Sequence, residues 1–215
     1  MPKKSGIVFV LAGAVLILSA LLLFFHNQNE DVHAGQEAET MLSDVQSVIF
    51  ERVNPPVSET DDPDTTQPTE PDMANQELPI ALINGYEYVG YITIPSLEIE
   101  LPVMSSWDYD RLKLAPCRHF GSSKTDDLVI AAHNYESHFG QLKELLVGDS
   151  VIFTDMDGTV NTYSVVSVEK LIPSEVETVQ KSGYDLVLYT CTKGGQARIA
   201  VFCDRNQART LLPEN

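Results

Sequence analysis

Basic residues are scarce in this chain of 215 residues: 14 Lys and Arg stand against 31 Asp and Glu, a formal net charge of −17. Binding to a phosphate backbone requires clustered Lys and Arg, so no nucleic-acid partner is expected. Cysteine is equally sparse. Cys117, Cys191 and Cys203 are too few and too scattered for a disulfide scaffold, and no CxxC spacing occurs. An odd count outside the cytoplasm leaves at least one thiol unpaired, which points to a reactive cysteine; a Cys117–Cys203 disulfide is compatible with the count. No close pair of Cys or His side chains suggests a metal centre, so a zinc site built from Cys191 and His133 is a distant alternative and no metal is expected.

What is present is unevenly distributed. Gly6 to Phe25 is twenty residues without a charge. As a helix it spans about 30 Å, the hydrocarbon thickness of a bilayer. Lys3 and Lys4 precede it and acidic residues follow, which places residues 1–5 in the cytoplasm and the rest outside. A cleaved signal peptide is the rival reading. The run exceeds an h-region of about 7–15 residues, and the nearest small-x-small site, Val32-His33-Ala34, lies some way downstream. An uncleaved single-pass anchor over 6–25 is therefore expected.

Residues 26–79 read as an acidic, proline-rich extracytoplasmic linker. From Asn27 to Pro79 there are thirteen Asp and Glu against Arg52 alone, with Pro55, Pro56, Pro63, Pro68 and Pro71 and few aromatics. Such a segment buries too little apolar area to offset ordering entropy, so most of it is expected to be extended or disordered, a spacer that lifts the domain off the membrane. Glu37 to Val53 is the exception, because Met41, Val45, Val48 and Ile49 fall at helical spacing.

Residues 80–215 form the globular part. Tyr88–Ile94, Ile99–Met104, Leu128–Ala132, Leu186–Thr190 and Ala197–Cys203 read as strands, the apolar LVIAA run as one buried on both faces. Asp108–Leu114 and Phe139–Leu146 have helical spacing. Ser150–Thr154 and Val160–Val168 form a hairpin around Asp155-Met156-Asp157-Gly158, whose Asp-Gly pair supplies the positive φ of a tight turn. That turn also resembles a fragment of a calcium loop but lacks the other ligand positions of an EF-hand, so turn chemistry is preferred. Many short strands with few short helices predict a mainly β fold, a closed or partly closed barrel.

Three separated residues carry chemistry. Cys191 ends a buried strand in Tyr189-Thr190-Cys191-Thr192, Arg198 follows on the next strand, and His133 ends another buried strand in Ala132-His133-Asn134. A buried strand cysteine is more often an inert small hydrophobe, and His119 and His138 read as surface or packing residues. Cys191, however, sits where an apolar run meets a Gly-rich loop. A thiol reacts as thiolate and needs a basic or cationic neighbour, which His133 supplies. Arg198 carries a permanent charge and five donors, suited to orienting a peptide or stabilising an oxyanion. Thr190, Ala132 and Asn134 are candidate substrate-binding neighbours.

This arrangement resembles the sortase family, whose signature is a Thr-Leu-x-Thr-Cys strand end, a downstream Arg and an upstream Gly-His-x segment. Gly90-Tyr91-Ile92-Thr93-Ile94-Pro95 and His138-Phe139-Gly140 also match, and the likeness runs from about Gly90 to Arg205. The chain departs from the pattern at Val187 (usually Thr), at Ala132 (usually Gly) and at Cys117, in a stretch that often carries Gly. The resemblance implies a sortase-like closed β-barrel on a single transmembrane helix, at the surface of a Gram-positive cell. It implies Cys191 as nucleophile, His133 as general acid/base and Arg198 as oxyanion or substrate stabiliser. The activity implied is cleavage of an LPxTG-like sorting signal after its Thr, and transfer of the acyl group to an amine of a cell-wall precursor or a pilin Lys. The short Ile172–Tyr184 stretch disfavours sortases with a long helical insertion there. No cofactor is expected. Asp126, Asp127, Glu175 and Glu177 could serve calcium but read as a solvated acidic face. A thiol hydrolase of the same fold and a catalytically silent, tethered binding module are the alternatives; the second does not require the Cys–His–Arg trio.

Overall fold

Alternating apolar residues on short strands leave each strand with one face to bury, and here the strands satisfy this by closing on themselves. The computed structural model describes residues 3–55, 77–175 and 179–206. Among the described residues there are nine strands: β1 (Ala81–Ile83), β2 (Tyr86–Ile94), β3 (Ile99–Met104), β4 (Cys117–Phe120), β5 (Leu128–Ala132), β6 (Ser150–Asp155), β7 (Val160–Leu171), β8 (Leu186–Cys191) and β9 (Arg198–Arg205). They are ordered β1-β2-β3-β4-β5-β8-β9-β7-β6, and β6 pairs back onto β2. Eight strands therefore form a closed barrel, with β1 as a hairpin edge. Closure removes the open edges that would otherwise template aggregation.

Inward-facing side chains fill the interior. Ile92, Val103, Leu128, Ile130, Phe139, Phe153, Tyr163, Leu186, Leu188 and Val201 are all buried in one cluster. The closing seam depends on Gly90. It has φ +147°, and a Cβ there would lie 2.0 Å from the Thr154 carbonyl oxygen, which is backbone and cannot swing away.

At the end of β9 remote from Arg198, Arg205 fastens the barrel. Its guanidinium bonds Asp126 (2.7 Å), Asn161 (2.6 Å), the Ser123 carbonyl and the Tyr163 hydroxyl (3.2 Å), and lies 5.0 Å from the Tyr163 ring centroid. The β6–β7 hairpin turns at Asp155–Gly158, where Thr159 N–H donates to Asp155 Oδ1 (3.0 Å) and Gly158 has φ +84°. This is the tight turn expected of the Asp-Gly pair. Of the four acidic residues weighed for calcium, Asp126 pairs with Arg205, Asp127 accepts from Ser122 N–H and Glu175 from Ile172 N–H. Glu177 lies outside the described residues.

The amino-terminal half departs from expectation. A single helix, α1, runs unbroken from Lys3 to Val53. Its first part, the apolar run, is long and apolar enough to cross a membrane and is wholly exposed. The remainder includes Glu37–Val53 but also residues 27–36, expected to be extended. The reason is a stripe the composition conceals: Ala34, Ala38, Leu42, Val45 and Ile49 recur at intervals of three and four and are buried against the barrel. Gln46 bonds Glu100 (3.1 Å), Asp44 accepts from Asn84 (2.8 Å), and Arg52 donates to the Met156 carbonyl (3.2 Å). The acidic residues are the solvated back of an amphipathic helix. Pro56, Pro63, Pro68 and Pro71 of the linker lie outside the described residues.

Two further differences are local. Helix α2 is a single turn, Arg111–Leu114, and Phe139–Leu146 forms only a 3-10 turn at Leu142–Glu144. Gly140 N–H bonds the Tyr135 carbonyl (2.8 Å), and the chain opens to an extended conformation at Leu145. Loop bonds here replace the helical ladder.

Gly90→Ala is expected to lose at least about 2 kcal/mol, since the new methyl overlaps backbone at a positive-φ position. Urea denaturation against the wild type measures it.

Candidate active site

Three adjacent strands end together, and their registers decide which side chains meet. β5 and β8 are parallel, with Ala132 opposite Thr190; β8 and β9 are antiparallel, with Cys191 opposite Arg198. One step past Ala132, His133 therefore leaves β5 beside the point where Cys191 ends β8. Strand alternation puts Val187, Tyr189 and Cys191 on the outer face of β8, with Arg198, Ala200 and Phe202 outward on β9. All three candidate residues thus share one end of the barrel. Each is partly buried.

The neighbours hold this end in place. Thr190 is buried and its Oγ1 donates to the Ala132 carbonyl at 2.9 Å, tying the strand that carries the thiol to the one that leads to the imidazole. Beyond Cys191, Gly195 N–H bonds the Thr192 carbonyl (2.8 Å) and Thr192 N–H the Ala197 carbonyl (2.9 Å). Arg198 Nη1 donates to the Gly195 and Ala197 carbonyls, each at 3.1 Å, so the guanidinium is anchored at the base of this loop. A cavity of about 340 Å³ lies between this loop and the His133 loop, lined by Cys191, Thr190, Asn134 and Lys143 among others.

The His133 ring stacks on Tyr135, with centroids 4.8 Å apart and planes 20° from parallel. Burial pushes its pKa down, the Lys113 ammonium adds to this, and a hydrogen bond with Asn134 opposes it. The imidazole is consequently neutral near pH 7 and able to accept a proton. Cys117 and Cys203 differ from Cys191 in being fully buried, and burial raises both thiols to about 12. They sit in separate clusters, Cys203 inside the barrel and Cys117 beneath α1, and all three cysteines are free, so no Cys117–Cys203 disulfide forms.

Two features at this end rest on contacts between distant parts of the chain. First, α1 reaches the His133 loop. Asp31 accepts from the backbone N–H groups of Glu136 (2.9 Å) and Ser137 (3.0 Å) and from the Ser137 hydroxyl (2.7 Å). Partial burial raises the Asp31 pKa, but the Ser137 hydroxyl and the two N–H groups outweigh this and leave it below the ordinary carboxylate range. Gly35 permits the approach, as a Cβ there would sit 3.0 Å from Ser137 Cβ. Second, His138, expected to be a surface or packing residue, packs. It is fully buried against Ala34 of α1 and beside Tyr135, and neither ring nitrogen finds a well-aligned partner. Burial lowers its pKa to about 4. His119, also read as surface or packing, is half-buried and bonds the Tyr189 hydroxyl at 2.6 Å.

Residues 92–206, a little over half of the chain, match the family model described as the sortase domain. The chain belongs to the sortase family. Sortase A from Bacillus anthracis is 25% identical over 199 residues, covering 88% of this chain and 89% of that protein. The crystal structure of sortase C1 from Streptococcus agalactiae is 25% identical with a TM-score of 0.50, covering 58% of this chain and 70% of that one. Sortase C1 from Streptococcus suis gives 24% identity and the same score over 57% and 75%. Family membership supports a transpeptidase of the sortase type, and the closed barrel is the one the resemblance implied.

The buried imidazole makes the docking of α1 on the sortase domain sensitive to acid. A free histidine titrates near 6.5 and His138 near 4. Between these values the unfolded chain binds more protons, so stability is full above the higher value and falls as pH drops through the window. Asp155, raised to about 7 by burial and by Asp157, works in the opposite sense, so the test is a difference. Relative to His138→Phe, the wild type is expected to lose on the order of 2–3 kcal/mol between pH 6.5 and 4. Thermal melts of both proteins across that range check it.

Proposed function

We propose that this chain is a membrane-anchored cysteine transpeptidase in which Cys191 is the nucleophile, His133 the general acid and base, and Arg198 the group that steadies substrate and oxyanion. The observation that carries the reading is the register of β5, β8 and β9, which brings an accessible thiol, a neutral imidazole and a fixed guanidinium to one end of the barrel. Thr190 and Asn134 line the cleft as substrate-binding neighbours, while Ala132, buried in the barrel core, contributes through the carbonyl that receives the Thr190 hydroxyl.

The Cys191 sulfur attacks the carbonyl carbon of the scissile bond after Thr in an LPxTG-like sorting signal, and His133 takes the thiol proton. Negative charge develops on the carbonyl oxygen, where Arg198 supplies donors. Collapse breaks the C–N bond; the leaving amine takes the proton from His133, and a thioester remains. An acceptor amine, from a cell-wall precursor or a pilin Lys, then attacks that carbonyl. Its proton passes to His133, the C–S bond breaks with its electron pair on sulfur, and an amide is released as the proton returns to the thiol. No cofactor enters any step. Residues 6–25 serve as a single-pass anchor, with Lys3 and Lys4 on the cytoplasmic side and the barrel outside.

Incubating the enzyme with sorting-type peptides and amines, followed by intact-mass analysis, is expected to find an acyl adduct on Cys191 and an amide product. Cys191→Ala abolishes both with the melting curve unchanged, and Arg198→Ala lowers kcat by about 10²–10³. Transfer retained without Cys191 overturns the proposal; release of free acid alone, with amine present, replaces transpeptidation by hydrolysis.

A further inference from the structure

The continuity of α1 fixes more than attachment. Its apolar run ends at Phe25, and six residues later Asp31 is bonded to the loop that follows His133. At 1.5 Å per residue these points are about 9 Å apart along the axis. From Asp31 the helix descends the side of the barrel, and its last turn meets the β6–β7 turn, where a Cβ on Gly158 would touch Val53. That turn lies about 33 Å further along the same axis. The two ends of the barrel are therefore unequal with respect to the apolar run. A cavity of about 470 Å³ lies between α1 and the His133 loop, and its wall includes both Phe24, from the end of that run, and His133 itself, with Asn27, Tyr135 and Lys193 around it.

Resting on the reading of residues 6–25 as a membrane anchor, we propose that the catalytic end of the barrel is its membrane-facing surface, held against the lipid headgroup layer, and that the cavity beside His133 admits its acceptor amine from that layer. The linker expectation of a spacer is thereby reversed for residues 27–53. Nothing flexible separates the anchor from the Asp31 bonds, and the domain has little freedom to tip while Ala34, Ala38, Leu42, Val45 and Ile49 remain packed. Lys193, whose side chain is 89% exposed, stands at the mouth of the cavity. Lys124, bonded to Asp157, marks the remote end.

The test uses the full chain reconstituted in phosphatidylcholine vesicles that carry a headgroup spin-label quencher. In a Cys191→Ala background, a fluorophore is placed by Lys193→Cys or by Lys124→Cys; Cys117 and Cys203 are buried and remain unlabelled. Fluorescence at position 193 is expected to be quenched severalfold more than at position 124. A seven-residue helical insertion after Asn27, about 10 Å of added rise with nearly the same phase, is expected to reduce the quenching at 193. With wild-type Cys191, an amine tethered to a vesicle lipid is expected to be acylated faster than the same amine in solution at equal bulk concentration, and the insertion removes that advantage. Equal quenching at both positions, stronger quenching at 124, or no preference for the tethered amine overturns the proposal. Failure of the chain to float with vesicles overturns the anchor reading along with it. An acyl-enzyme that accepts neither amine overturns transpeptidation instead, leaving placement to the quenching arm.

Discussion

The parallel pairing of β5 with β8 is the constraint on which the proposed catalytic end depends. Parallel neighbours cannot be joined by a tight turn, so the chain between them must travel around the barrel through β6 and β7 before it returns. The cost in loop closure is repaid by a ladder of five paired residues from Leu128–Leu186 to Ala132–Thr190. Slipping β8 by one residue against β5 would exchange its inner and outer faces. Leu186 and Leu188 would leave the interior, and Cys191 would lose its place beside His133. The Thr190 hydroxyl, spanning to the Ala132 carbonyl, adds a side-chain bond at the last rung, where fraying would matter most. Core packing and the alignment of the reacting groups are thus one condition.

The helix α1 extends this economy to a part of the chain that does no chemistry. Its buried stripe consists of small residues beside the His133 loop, Ala34 and Ala38, and of larger ones, Leu42, Val45 and Ile49, further along. Asp31 acts on backbone N–H groups, which fixes the path of the loop whatever side chains it carries. Tyr135, stacked on His133 and edge-on to His138, then passes that order to the imidazole.

Most of the barrel could be read in advance because its signals are local. Apolar runs such as LVIAA and LVLYT need no partner to announce a strand, and the Asp-Gly turn sets its own geometry. The proposed trio Cys191, His133 and Arg198 stands out in the sequence because each lies at, or one step past, the end of such a strand. β1 and β4 were not, being three or four residues long and defined by their partners alone. The helix over 27–36 was hidden for a different reason: charge and composition describe the solvated back of α1, while its stability comes from a stripe that has meaning only once a barrel exists to receive it. Asp31 was missed on the same ground, and so was the contact of His138, read only as surface or packing, with α1. One is a carboxylate among many, the other a histidine among five, and what distinguishes them is a contact across more than a hundred residues of sequence.

Arg205 gives the two ends of the barrel different mechanical characters. Five groups from three separate segments converge on its side chain and backbone, so β9 is cross-braced to β7, to the turn before β5 and to the start of β8 at the end remote from Cys191. The Cys191 end is held by lighter means: the Thr190–Ala132 bond, loop bonds and the docked helix. Local opening, which follows the least-buried hydrogen bonds, is accordingly expected first in the exposed Thr192–Ala197 loop while the base stays shut. In amide hydrogen exchange the barrel should behave as a cup with a rigid floor and a compliant rim, able to widen for a peptide without breathing as a whole.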